Sequence, residues 1–154
     1  MTVMKIASCI RGFEDIAAKE VNGKKITESR VVFSGRIKNF RTVDNICELY
    51  NHIIFNNHED LISEINKYKI NKNIRVLCKR EGIHNFKSVD ITKAASAKLR
   101  NIGYKIDFKQ YKDTLYIDII NNDCFIGKLI KEKLCKRSYR VKLLPGTINA
   151  CLAA

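Results

Sequence analysis

The stretch "VLCKREGIHNFKSVDITKAASAKL", residues Val76–Leu99, decides how this chain is read. It opens on an apolar run, then presents Lys79, Arg80, Gly82, His84, Phe86, Lys87 and Ser88 in close succession. Beyond Ser88 the apolar residues fall at helical spacing. The spacing predicts a strand over Ile74–Cys78, a loop, and a helix over Ser88–Asn101, with Ser88 as N-cap, Asp90 in the first turn and Gly103 just past the end. Lys79, Arg80 and Lys87 bring positive charge to the loop, next to a helix start whose open N–H groups favour an anion. Gly82 lets the backbone turn tightly or come close to a ligand. Phe86 offers a ring that either stacks on a base or closes the core. His84 has no nucleophile or orienting carboxylate near it in sequence, which argues against a general base. The alternative for the whole stretch is a solvated loop with a capped helix.

The charge of the chain favours a polyanionic partner. There are 29 Lys+Arg against 16 Asp+Glu, a net of +13 over 154 residues. Residues 1–70 carry a net +2 and residues 71–154 a net +11. The second half therefore supplies nearly all the attraction, and RNA or DNA leads over an anionic membrane. A second basic cluster, Lys128, Lys131, Lys133, Lys136, Arg137, Arg140 and Lys142, has Tyr139 between its two arginines. It either contacts backbone phosphates or forms a solvated linker.

Outward from the opening stretch, both halves read as α+β. Met4–Ile10 is a strand, and "FEDIAAKEV" a helix stopped by Asn22-Gly23. Ile26–Phe40 reads as a hairpin broken at Ser34-Gly35, and Thr42–Ile54 as a helix with Val43, Ile46, Cys47 and Tyr50 on one face. A short strand near Ile53–Asn56 would complete the strand–helix–strand–strand–helix–strand order of a ferredoxin-like unit. A helix follows over His58–Lys69. After the opening stretch come Lys105–Phe108, a stronger strand over Thr114–Ile120, a turn at Asn121–Asp123 and a strand over Cys124–Ile130. No βαβ rhythm is evident, which argues against a parallel nucleotide-binding sheet. The only proline stands in Pro145-Gly146, and "TINACLAA" then begins a helix that the sequence leaves incomplete, as at the edge of a longer protein.

Six cysteines, at 9, 47, 78, 124, 135 and 151, show no CxxC spacing. With three scattered histidines they read as reduced core residues of a cytoplasmic protein, not as metal ligands. No apolar run is long enough to span a membrane. Walker, GxGxxG, HExxH and GxSxG motifs are all absent, so no catalytic motif lies in these 154 residues.

The opening stretch, followed by "KIDFKQYKDTLYIDIINNDCFIG", closely resembles the THUMP domain. "GFEDIAAKEV" resembles the opening of THUMP-containing RNA methyltransferases, and "KRSYRVKLLPGTINACLAA" resembles the segment leading into their catalytic domain. The likeness is nearest to enzymes that methylate guanine at N2 in tRNA. It implies an N-terminal ferredoxin-like domain over 1–57, a THUMP domain over 58–135, and a linker with a helix start over 136–154. It further implies a tRNA partner, held at the acceptor stem and unpaired 3′ end. The resemblance maps the family's basic, aromatic and serine positions onto Lys79, Arg80, Phe86 and Ser88, with His84 and Lys87 inside the same motif; Lys93 and, from the second basic cluster, Arg137 and Arg140 complete the expected RNA-binding set. S-adenosylmethionine is expected for a catalytic domain that this chain lacks, so the chain itself is expected to bind no cofactor and to methylate nothing alone. A self-standing adaptor that delivers tRNA to a separate enzyme is the alternative; THUMP domains also occur in 4-thiouridine synthetases, pseudouridine synthases and acetylation adaptors, and the tail segment is what favours a methyltransferase over those.

Overall fold

A computed structural model describes residues 2–134. Arg137, Arg140, Tyr139 and the helix expected from Thr147 lie outside the described residues. The elements run β1 Lys5–Cys9, α1 Glu14–Val21, β2 Lys24–Thr27, β3 Arg30–Phe33, β4 Val43–Ile54, α2 His58–Ser63, β5 Asn73–Glu81, α3 Ser88–Ile102, β6 Lys105–Ile106, β7 Asp113–Ile120 and β8 Asp123–Lys131. Among the described residues two compact units emerge, one from residues 2–48 together with residues 130–134, the other Leu49–Leu129. The architecture is mixed α and β, as the sequence implied.

In the first unit the strands lie in the order β2-β3-β1-β4, with β1 antiparallel to both neighbours. Helix α1 packs on β2 and β3, burying Ala17 and Val21 against Val31 and Phe33. Asn22 ends the helix in the left-handed conformation, as Asn22-Gly23 predicted. Glu14 is buried at the helix start, where its carboxylate accepts from Ser29 N at 2.8 Å and Gly12 N at 3.0 Å.

Two expectations for this region are corrected. The hairpin turns at Glu28-Ser29, with Ser29 at φ 54°, and not at Ser34-Gly35. Val43–Ile54 is a twelve-residue strand and not a helix. The opening order is thus strand–helix–strand–strand–strand, without the second helix of the ferredoxin-like pattern. The physical reason is burial on both faces. Ile46 and Cys47 are adjacent and both buried, so the alternation that marks a one-sided strand is erased and an accidental helical period remains.

In the second unit the order is β4-β8-β7-β5-β6. Strand β7 runs parallel to β5 in unbroken register from Ile74↔Asp113 to Glu81↔Ile120, and antiparallel to β8. β6 is also parallel to β5. A β-α-β unit is therefore present, although the sequence showed no βαβ rhythm, because the parallel pairing of β5 with β6 and β7 joins segments remote in sequence. Helix α3 buries Ile91, Ala95 and Leu99, spaced four apart, against Ile74, Val76, Leu115 and Ile117. Burying these apolar side chains stabilises the unit by about 1.5–3 kcal/mol for each large one.

Helix α2 stops at Ser63 instead of Lys69. Lys98 Nζ donates to Ile62 O at 2.8 Å and to Ser63 O at 2.7 Å, which satisfies the carbonyls a longer helix would have used. Leu61 and Ile65 are buried as expected. Helix α3 has Lys87, not Ser88, at its N-cap. Lys87 N donates to the Asp90 carboxylate at 2.9 Å, so the acid in the first turn closes the helix start.

Candidate nucleic-acid interface

Strand β5 extends to Glu81, three residues past the expected end, because β7 offers partners as far as Ile120. Lys79 and Arg80 are therefore on the strand and not in the loop. Successive strand residues face opposite sides, and the register has no bulge, so these two cations point away from each other. Arg80 shares its face with Ile74, Val76 and Cys78, while Lys79 is exposed on the other and lies 3.8 Å from Glu81 Oε1.

The loop after β5 is held by the β7–β8 turn. Asn121 N donates to Glu81 O at 3.0 Å, and Phe55 N donates to Asn122 O at 3.0 Å. Gly82 has φ +108°, and a Cβ built there would sit 2.7 Å from Asn121 Oδ1. The backbone angle thus favours glycine, and an added Cβ would also have to displace the Asn121 side chain. His84 bridges the two loops, with Nε2 2.6 Å from Asn121 O and Nδ1 3.1 Å from Arg80 Nη1. A guanidinium only donates and a carbonyl only accepts, so Nδ1 accepts and Nε2 carries the proton. Both ring nitrogens are used, and the imidazole has only its faces left to offer.

Phe86 is half-buried against the core cluster of the second unit. Its ring centroid lies 4.9 Å from that of His84, 6.1 Å from Phe55 and 5.9 Å from His58. The ring thus takes part in the core and also walls a recess of about 130 Å³ that opens between the loops after β4 and β5. Arg80, His84 and Phe86 are brought together. Ser88 and Lys93 are not in this group: they line a broader groove of about 620 Å³ with Leu77, Val89 and Phe108. Lys87 is exposed between the two. Of the second basic cluster, Lys128 is paired with Asp113 at 3.1 Å.

Phe55, Asn121 and Asn122 were invisible as site residues in the sequence. The signal that could have pointed to them is the pair Asn121-Asn122 itself, since Asn121 adopts φ 52° and asparagine tolerates that region. Burial, together with nearby Asp118, pushes the Cys78 thiol up to about 12, so it stays protonated and is no nucleophile at neutral pH. Cys124 is also pushed up by burial. Among the described residues no group of His, Cys, Asp and Glu is placed to hold a metal ion, and no helix is long and apolar enough to cross a membrane.

No family model matches the chain. A tRNA sulfurtransferase of Thermoplasma volcanium is 32% identical over 78 residues, covering 48% of this chain and 16% of that protein. TrmN from Thermus thermophilus matches the structure with a TM-score of 0.60 at 18% identity, over 87% of this chain and 48% of its own. A 4-thiouridine synthetase solved in complex with RNA and bound ATP matches with a TM-score of 0.51 at 11% identity, over 83% of this chain and 41% of its own. Together these likenesses support a THUMP-type domain. The two structural matches speak to the fold, and the chain spans less than half the length of each of these three proteins. The loop from Gly82 to Lys87 falls inside the stretch that the sequence resemblance singled out, and it is anchored here to the Asn121-Asn122 turn through His84 Nε2, next to the bond from Asn121 N to Glu81 O.

Proposed function

We propose that this chain is the RNA-binding portion of a tRNA-modifying enzyme, and that it takes hold of the acceptor end with its unpaired 3′ tail. The observation that carries the proposal is the fixed group at the β5–α3 junction. His84 is bonded to the Asn121-Asn122 turn and to Arg80, and its ring lies against Phe86, next in sequence to an exposed Lys87 and the start of α3, in the half of the chain that bears a net +11. Rigid rings suit unstacked bases, and cations suit phosphates.

The finer reading is a guanine-N2 methyltransferase that uses S-adenosylmethionine in a domain beyond these residues. The methyltransferase-like tail sequence supports it, as does the fold shared with the methyltransferase TrmN. A second reading, sulfur transfer to tRNA, is favoured by the 32% identity with the sulfurtransferase. In both, this chain grips the RNA and the chemistry is done elsewhere. A self-standing adaptor uses the same surface.

The test is binding of tRNA with and without its unpaired 3′ tail, across a salt series. If about 3–5 phosphates are contacted, log K falls with log[salt] at a slope of roughly −2 to −4. Equal affinity for intact and trimmed tRNA overturns acceptor-end recognition. Sequencing the gene past Ala154 separates the readings, since an Asp/Asn-Pro-Pro motif with a cofactor loop supports methyl transfer.

A further inference from the structure

We infer that the recess between Phe55, His84 and Phe86 is a subsite for one unpaired nucleobase, read by side-chain amides and not held by charge. The inference rests on the RNA reading above and adds what this part of the surface recognises. At about 130 Å³ the recess is smaller than the roughly 300 Å³ where sites for whole cofactors begin, so it admits a single flat group.

Its lining has two chemistries. The first is aromatic and apolar. Phe55 and Phe86 stand 6.1 Å apart between centroids, the His84 ring lies 4.9 Å from Phe86, and Ile83 is wholly exposed at the lip. Such surfaces stack on the face of any base. The second is carboxamide. Asn56, Asn85 and Asn122 also line the recess, and each carries a donor and an acceptor of the kind that reads a base edge. Neither a lysine, an arginine nor a carboxylate lines it. Arg80 is not among the lining residues, and its Nη1 is turned to Gly82 O at 3.2 Å and to His84 Nδ1 at 3.1 Å. A phosphate would find no lysine or arginine inside, while a neutral planar group with hydrogen-bonding edges would find the asparagine carboxamides.

The recess is also prepared before any ligand arrives. The β7–β8 turn ties both flanking loops through Phe55 N, Glu81 O and His84 Nε2. Little loop ordering then remains to oppose binding. Because both His84 nitrogens are used, base identity is left to the asparagines and to the His58 ring that also lines the recess.

The test is a fluorescence-anisotropy titration of the 154-residue chain with an RNA hairpin bearing a short unpaired 3′ tail. Each tail nucleotide is replaced in turn by an abasic one, which removes a base and keeps the phosphates. One replacement should weaken binding about tenfold while leaving the salt slope unchanged. Asn85→Ala and Ile83→Ala, both at exposed positions, should bind the intact hairpin more weakly and should lose most of the penalty for that abasic position. Thermal melting of the variants should match the unaltered chain. Equal tolerance of every abasic position, or a penalty undiminished in both variants, overturns the subsite while leaving salt-dependent RNA binding in place. No binding of the intact hairpin at low salt overturns the RNA reading and the subsite together.

Discussion

Substituting alanine at Gly82 tests whether the β7–β8 turn holds the loop as described. Gly82 and Gly103 provide a matched pair. Their φ angles are +108° and +110°, so an alanine at either is strained by a similar amount, about 1–3 kcal/mol. Their surroundings differ. A Cβ at Gly103 meets nothing within 4 Å, whereas at Gly82 it meets Asn121 Oδ1 at 2.7 Å and the Asn121 backbone at 3.3 Å. Relieving it takes a turn of the Asn121 side chain and a shift of a few tenths of an ångström from its backbone, which adds about 1 kcal/mol. In a chain of this size about 1 kcal/mol moves the melting temperature by roughly 2–4 °C. Gly82→Ala should therefore melt a few degrees below Gly103→Ala, and both below the unaltered chain. Only Gly82→Ala should also weaken RNA binding, because the His84–Asn121 bond spans the displaced contact. Circular dichroism melting and an anisotropy titration read both effects. Equal melting losses in the two variants would refute the proposed close contact between loop and turn.

Other consequences can be checked in parallel. Arg80→Ala should reduce RNA affinity about tenfold, and Lys79→Ala, on the opposite strand face, by no more than about twofold; equal losses contradict the strand register. Cys78 should alkylate far more slowly in the native chain than in urea near pH 8, as followed by mass spectrometry. Its raised value also makes a contribution to stability that is complete below 9.0 and is lost as pH rises toward about 12, because the unfolded chain gives up the proton first. Glu14→Gln should cost about 1–3 kcal/mol near pH 7, since an amide places a donor against Ser29 N or Gly12 N. The Ser29 N–H, with smaller help from Gly12, holds the Glu14 carboxyl below its ordinary 4.5. Its contribution is thus present above 4.5 and fades as pH falls through the lowered value, so melting curves of variant and unaltered chain should converge in acid.

Much of the second unit is legible in the residues. Ile91, Ala95 and Leu99 repeat at helical spacing, and they are the face α3 buries. "TLYIDII" is rich in the branched and aromatic residues of a strand, and it is one. The misreadings share a cause. β4 buries adjacent residues, α2 is ended by the ammonium of a lysine 35 positions away from Ser63, and β5 is lengthened by its pairing with β7. Each depends on a partner remote in sequence, and no local pattern encodes it.

By itself the sequence determined that the chain is an α+β protein with a basic second half, and that a glycine, a histidine and a ring gather where a strand passes to a helix. Those are properties of composition and of short-range periodicity, which the chain carries whether folded or not. Only the tertiary structure decided which of those groups act together. Strand parity turned Lys79 away from Arg80, and bonds to Arg80 and to the remote Asn121 left His84 its ring faces alone. The Asn121-Asn122 turn, some forty residues downstream, closed the loop into a recess. Side-chain direction and hydrogen-bond partnership are settled by backbone pairing across the fold, so they become readable only once the strands have met.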